Sequence, residues 1–273
     1  MVPRDRAGIE RLARVHLAPD VADRWLALLR PALELVAAGP DDAVVARLGG
    51  RPALPDDVAW PVWEGHGPLA YVGELHCARV PAGALDVTLP PDGRLLFFHY
   101  DGPVGISAIG TGRDARVVYV PEDVAAAERA VPDPAPSYRE RLLTARAILT
   151  WPAYADPALR DAFGAEDDDW WEHDVTDEAF LEALYDDRQP RHQLGGYPEP
   201  IQGAPQHEAA ATALGVPWGD PAVAAEARGW TLVLQVDSDG DMMWGDAGML
   251  YWLARSTELD GRVPEFGFTW QCS

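Results

Sequence analysis

LAYVGELH (69–76) and GRLLFFHY (93–100) are apolar on nearly both faces, the pattern of strands buried between two layers. Near the other end of the chain WTLVLQVDSD (230–239) and GMLYWLAR (248–255) show the same pattern. Placing Glu74 on Gln235 sets Val72 on Val233, and placing Gly93 on Gly248 sets Leu95 on Leu250 and Phe97 on Trp252. The spacers differ in length, which a variable loop tolerates. Two ordinary hydrophobic hairpins that converged would give the same likeness. The reading adopted is an α+β fold of two related β-rich halves, a duplicated β-meander core at about 49–130 and 190–273, with flanking helices and an N-terminal helical segment.

RVVYV (116–120) reads as a further strand, and PEDVAAAERAVPDPAPSY (121–138) as a connector stiffened by Pro132, Pro134 and Pro136. RERLLTARAILTWP (139–152) fits helix or strand equally. EDDDWWEHDVTDEAFLEALYDDR (166–188) is acidic, with Thr176 as N-cap and Phe180, Leu181 and Leu184 as an apolar stripe; its carboxylates read as a solvated face. Residues 1–48 read as helical and packed on the main domain, 49–273. Asp20 would cap a helix carrying Val21, Trp25, Leu28 and Leu29, Pro31 would force a kink or a fresh helix start, and a last short helix, DDAVVARL, would stop at Gly49-Gly50. Residues 49–68 are too rich in Pro and Gly for a regular element.

Composition narrows the chemistry. The chain has 273 residues, 48% of them hydrophobic, enough for a packed core. Its net charge of −22 opposes binding to nucleic acid and to anionic lipid, so neither nucleic acid nor membrane is an expected partner. All 22 basic residues are arginine and there is no lysine, which removes Schiff-base, P-loop and protein-kinase chemistry. Asparagine is absent too, a bias that matches high-GC bacterial genomes. Cys77 and Cys272 lie far apart and show no metal-knuckle spacing, so two reduced thiols are expected. The N-terminal residues scatter charges where a signal peptide needs an apolar core, and no segment reaches the ~18 apolar residues of a membrane span. A soluble, cytoplasmic protein is the expectation.

GGRPALP with WP (49–61), PLAYVGEL (68–75), LPPDGRLLFF (89–98), HQLGGYPEPIQG (192–203), LVLQVDSD (232–239), WGDAGMLYWL (244–253) and the terminal FTWQCS together resemble the YwqG-like family, a bacterial domain of unknown function. The blocks occur in family order over residues 49–273. The chain departs from the family pattern at Glu74, where relatives carry Gln. The resemblance implies an α+β fold with a duplicated β core and no assigned activity.

Asp237, Asp239 and Asp241 alternate as in an EF-hand, but Met242 stands where Gly is required and Gly248 where the bidentate Glu is required, so an acidic turn is expected and no metal site. The seven histidines are dispersed without HExxH, and none of the five serines lies in GxSxG. Gly110-Thr111-Gly112 is a weak phosphate cradle. Trp60, Trp63, Trp218, Trp244 and Trp270 occupy loop-like or block-terminal positions, where an indole covers a core or lines a groove.

With no complete catalytic set and no cofactor expected, the favoured reading is a binding module for a small ligand or a protein. Its surface would lie where HQLGGYPEPIQG meets the WGDAG turn. His192, Gln193, Tyr197, Gln202 and Gln235 would supply hydrogen bonds, and Trp244 and Asp246 an aromatic face and a carboxylate. One alternative is a cation-assisted hydrolase in which Asp237, Asp239, Asp246 and Glu74 converge with His192. Another is an acidic inhibitor of a basic partner protein.

Overall fold

Leu33 and Leu35 are buried on either side of Glu34, and this two-residue period makes a strand where a helix was expected. That strand, β1 (Arg30–Ala37), pairs antiparallel with the segment whose sequence fitted helix or strand equally, and Glu34 faces Arg146 across the pair. The protein is described by a computed structural model covering residues 4–102, 112–164, 173–184 and 191–273. GISAIGTG up to Thr111, and residues 166–172 and 185–188 of the acidic run, lie outside the described residues.

The other strands of the main sheet, in chain order, are β2 (Ala46–Leu48), β3 (Ala70–His76), β4 (Arg94–His99), β5 (Ala115–Val120), β6 (Arg141–Thr150), β7 (His192–Leu194), β8 (Trp230–Asp237), β9 (Met249–Arg255) and β10 (Phe266–Gln271); residues 49–68, expected to hold no regular element, carry short two-residue strands, Ala53–Leu54 pairing with Ala127–Glu128 and Val62–Trp63 with Gly67–Pro68. Among the described residues β1 to β10 form one antiparallel sheet in the order β10-β9-β8-β7-β1-β6-β2-β3-β4-β5. The sheet curls until its two ends meet. Phe266 and Phe268 on β10 reach Phe97 and His99 on β4, with ring centroids 6.2 and 5.0 Å apart, so the barrel is nearly closed.

This corrects the expected fold class. β3–β4 and β8–β9 do form adjacent antiparallel pairs, each with a bulge, at Val72 and at Val233. They are not the cores of two halves. Leu48, Val72, Leu95 and Phe97 share one interior with Leu234, Val236, Leu250 and Trp252, and β1 and β6 join the hairpins into a single sheet. The expected α+β duplication overlooked those two central strands. The helical reading of residues 31–48 gives way to β1, a connection and β2.

Among the described residues six short helices surround the barrel: α1 (Arg6–His16), α2 (Pro19–Leu26), α3 (Pro157–Phe163), α4 (Glu178–Leu184), α5 (Pro205–Leu214) and α6 (Pro221–Ala227). Ile9, Ala13, Trp25, Leu159, Phe163, Phe180 and Leu184 bind the first four into a cluster beside Leu149 and Trp151. The stripe of α4 is buried at Phe180 and Leu184, but Asp177 rather than Thr176 caps it, accepting the Phe180 amide at 3.1 Å. α5 and α6 lie on the outer face of β8 and β9, over Trp230, Tyr251 and Leu253. No helix among the described residues is long and apolar enough to cross a membrane.

Candidate functional site

The loop after β7 has no ladder to satisfy its backbone, and buried glutamines do so instead. The Gln193 amide donates to the carbonyls of Gly195 (2.9 Å) and Tyr197 (2.8 Å). Gln235 accepts the Glu199 amide and donates to the Arg191 carbonyl, both at 2.9 Å. Gln271, which the sequence reading did not single out, accepts from the amides of Ile201 and Gln202 and donates to the Gly203 carbonyl. Tyr251 Oη donates to the Glu199 carbonyl at 2.7 Å. Gly195 and Gly196 turn the chain through left-handed backbone, at φ of 65° and 67°.

Gln193 and Gln235 therefore spend their amides on the loop. Tyr197 is buried, with Arg30 over its ring at 5.1 Å. Trp244 lies in the barrel core, edge-on to Tyr138 and His99. Asp246 is exposed on the WGDAG turn, where its carbonyl accepts the Ser273 amide. Gln202 is exposed and lines a cavity under α3 and α5.

His192 is different. Its side chain is buried, and its Nδ1 accepts the Asp237 amide at 3.1 Å. An imidazole that accepts at Nδ1 carries its neutral-form proton on Nε2, so Nε2 is a donor. That Nε2 has no hydrogen-bond partner. The nearest carboxylate oxygen, Asp239 Oδ2, is 3.5 Å away, close enough to attract but too far for a well-formed hydrogen bond. Asp239 is itself paired with Arg141, whose Nη2 also meets Met242 Sδ at 3.2 Å. The contact with His192 is the largest influence on the Asp239 carboxyl, and together with the charge of Arg141 it holds the group below its ordinary range against the opposing effect of burial. Burial pushes Asp237 the other way, although its Oδ2 accepts the Arg191 amide at 2.9 Å.

His192, Arg141 and Asp239 form one wall of a cavity of about 670 Å³. Leu35, Val36, Ala37, Ala38 and Leu143 give it an apolar side, and Glu34 and Arg146 are also part of its lining. Such a lining, mostly apolar with a few converging polar groups, suits a small ligand. Arg141 has no distinctive sequence signal, because it lies in the stretch whose secondary structure was ambiguous.

The carboxylates of the hydrolase alternative do not converge. Asp237 and Asp239 meet His192, but Glu74 is held on β3 by Arg47 (3.2 Å), His76 (3.4 Å) and Arg94 (3.5 Å), and Asp246 faces solvent. No group of three or more His, Cys, Asp or Glu among the described residues is arranged to hold a metal ion.

The model of a family described as a domain of unknown function (DUF1963) matches residues 46–272. No curated protein matches the chain.

Proposed function

The chain belongs to this family of unknown function, whose model spans most of its length, and we propose from the site itself that it is a small-ligand-binding protein whose ligand occupies the cavity beside His192. The sequence blocks quoted at the outset support placing it more narrowly with the YwqG-like proteins.

One observation carries the reading. A buried imidazole N–H without an acceptor costs about 1–3 kcal/mol, and folded proteins rarely leave such a donor unmet. His192 lines the cavity, and its donor has only the distant Asp239 carboxylate beside it, so a ligand bearing a carbonyl or carboxylate oxygen that settled against the ring would complete it. Arg141, paired with Asp239, lines the same wall. Gln193, Gln235 and Tyr197 act behind the site, holding the loop after β7 so that His192 keeps its orientation. The tautomer also argues against general-base catalysis by His192. Taking up a proton at Nε2 needs the opposite tautomer, which would turn Nδ1–H against the Asp237 amide.

A thermal-shift screen of small carboxylates, amides and ketones tests this, because a ligand at 100 times its Kd adds about 2.7 kcal/mol to stability. Ligands that stabilise the wild type should lose their effect on His192→Phe, which keeps an aromatic ring and removes the donor. Stabilisation that survives in His192→Phe places the ligand elsewhere and overturns the reading.

A further inference from the structure

The cavity beside His192 carries a second unmet donor. Arg141 commits its two terminal nitrogens, Nη1 to Asp239 and Nη2 to Met242 Sδ, while its Nε is buried and has no hydrogen-bond partner. Two buried N–H groups, His192 Nε2 and Arg141 Nε, thus belong to side chains that line one cavity and that both approach Asp239 Oδ2. Each costs stability until something accepts from it.

The charges of the lining are already matched. Among the described residues they are Arg141 and Arg146 on β6, Glu34 on β1, and Asp239, two of each sign. Arg141 is joined to Asp239, and Glu34 stands opposite Arg146 in the β1–β6 pair. A carboxylate entering here would be a further negative charge with no cation of its own, and it would come to rest beside Asp239. An ammonium would set donors against donors. An uncharged carbonyl meets neither penalty, and its oxygen has two lone pairs, so it can accept from more than one N–H.

Building on the proposed function, in which the ligand occupies this cavity, we infer that the site selects an uncharged carbonyl compound with a short aliphatic chain over the carboxylate of the same length. The carbonyl oxygen settles against His192 Nε2 and Arg141 Nε, and the chain lies along Leu35, Val36, Ala37 and Leu143. A primary amide suits the wall best, because its own N–H groups find an acceptor in the Asp239 carboxylate. The cavity's apolar side rewards the chain, and its paired charges reject the ion.

Calorimetric titration of the full chain at pH 7 with hexanamide, hexanoate and hexylammonium tests it, since the three share a chain and differ in charge. Hexanamide should bind about tenfold or more tighter than hexanoate, the ratio that one uncompensated contact at a charged group implies, and hexylammonium should not bind measurably. Arg141→Lys keeps a cation for Asp239 and removes the Nε donor, so it should weaken hexanamide about tenfold. Asp239→Asn removes the negative charge beside His192 and leaves Arg141 without its counter-ion, so it should move the preference toward hexanoate by about tenfold or more. A side chain that merely held the fold would weaken both ligands alike. Hexanoate bound as tightly as hexanamide, an unchanged ratio in Asp239→Asn, or unchanged hexanamide affinity in Arg141→Lys overturns the inference; if both ligands are still lost in His192→Phe, the cavity stands as the ligand site. Absence of binding by all three at millimolar concentration, or binding that survives in His192→Phe, overturns the proposed function and the inference with it.

Discussion

Gln235 has no exposed surface and both ends of its side-chain amide are engaged, one on the Glu199 amide and the other on the Arg191 carbonyl. A leucine of similar size in its place would leave both backbone groups without partners, at about 1–3 kcal/mol for each group that stays buried. Gln235→Leu is therefore expected to lower the urea midpoint clearly, while Gln202→Leu, whose side chain is exposed, should leave it nearly unchanged. Equal effects of the two substitutions would show that the glutamine latch contributes nothing. The same residues show what the sequence conveyed. It marked Gln193 and Gln235 as polar groups in distinctive blocks, but a glutamine that binds a ligand and one that binds its own backbone have the same letter and the same spacing. Which of them it was depended on where the loop ran. Gln271 went unnoticed although it does the same work as Gln235, because one amide within a terminal strand carries no pattern.

At the scale of elements, the strands with two apolar faces were legible: β3, β4, β8 and β9 stand within a residue or two of their expected limits, and both hairpins pair as expected. β1 and β6 were not. Leu33 and Leu35 sit within a run, LELVA, whose spacing also suits a helix, and Pro31 suggested a helix start. Pro31 is tolerated because it lies at the beginning of β1, opposite Leu149. With β1 read as helix and β6 left open between helix and strand, two hairpins looked like two halves, and the cavity wall at Arg141 could not be foreseen. The Gly195-Gly196 turn is fixed in shape by close contacts. Gly196 sits at φ 67°, and a Cβ there would press on Thr150 Oγ1 and lie 2.8 Å from the Ala32 methyl. Gly196→Ala should cost about 1–2 kcal/mol from the left-handed backbone alone and more from the contact with β1 and β6. Gly203→Ala, where a Cβ meets nothing within 4 Å, is the control and should fall within about 0.5 kcal/mol of wild type in the same urea titration.

For the molecule as a whole, side chains of β4 and β10 pack across the seam where the two ends of the sheet meet, and one of these is titratable. His99 is buried, with its ring 5.0 Å from Phe268 and 5.9 Å from Trp244, and its Nδ1 lies 3.2 Å from the Asp114 carbonyl, to which it donates. Burial, opposed only in part by that carbonyl, takes the imidazole down to about 3. An unfolded histidine takes up its proton near 6.5, so below that pH the unfolded chain binds a proton that the folded chain refuses. The stability His99 contributes is thus complete above about 6.5 and is lost as the pH falls toward 3. Between pH 7 and 5 the loss comes to about 2 kcal/mol, since each unit inside the window is worth about 1.4 kcal/mol. Two other buried groups act in different ways. Burial raises Glu74, but its hydrogen bond with His76 and the charges of Arg47 and Arg94 outweigh that and hold it at about 2, so its own loss begins only below about 4.5. Burial lifts Asp114 to about 6, which works in the opposite direction between about 3.8 and 6. Glu74 lies outside the pH 7 to 5 interval, whereas Asp114 touches His99, so the comparison is made in an Asp114→Asn background to isolate the histidine. His99→Phe keeps a ring at the seam and removes the titration. Its stability relative to the Asp114→Asn parent should rise by about 2 kcal/mol from pH 7 to pH 5, measured by urea unfolding at each pH. A constant difference across that interval would show that His99 is protonated as readily in the barrel as in the unfolded chain, and that the seam is open to water.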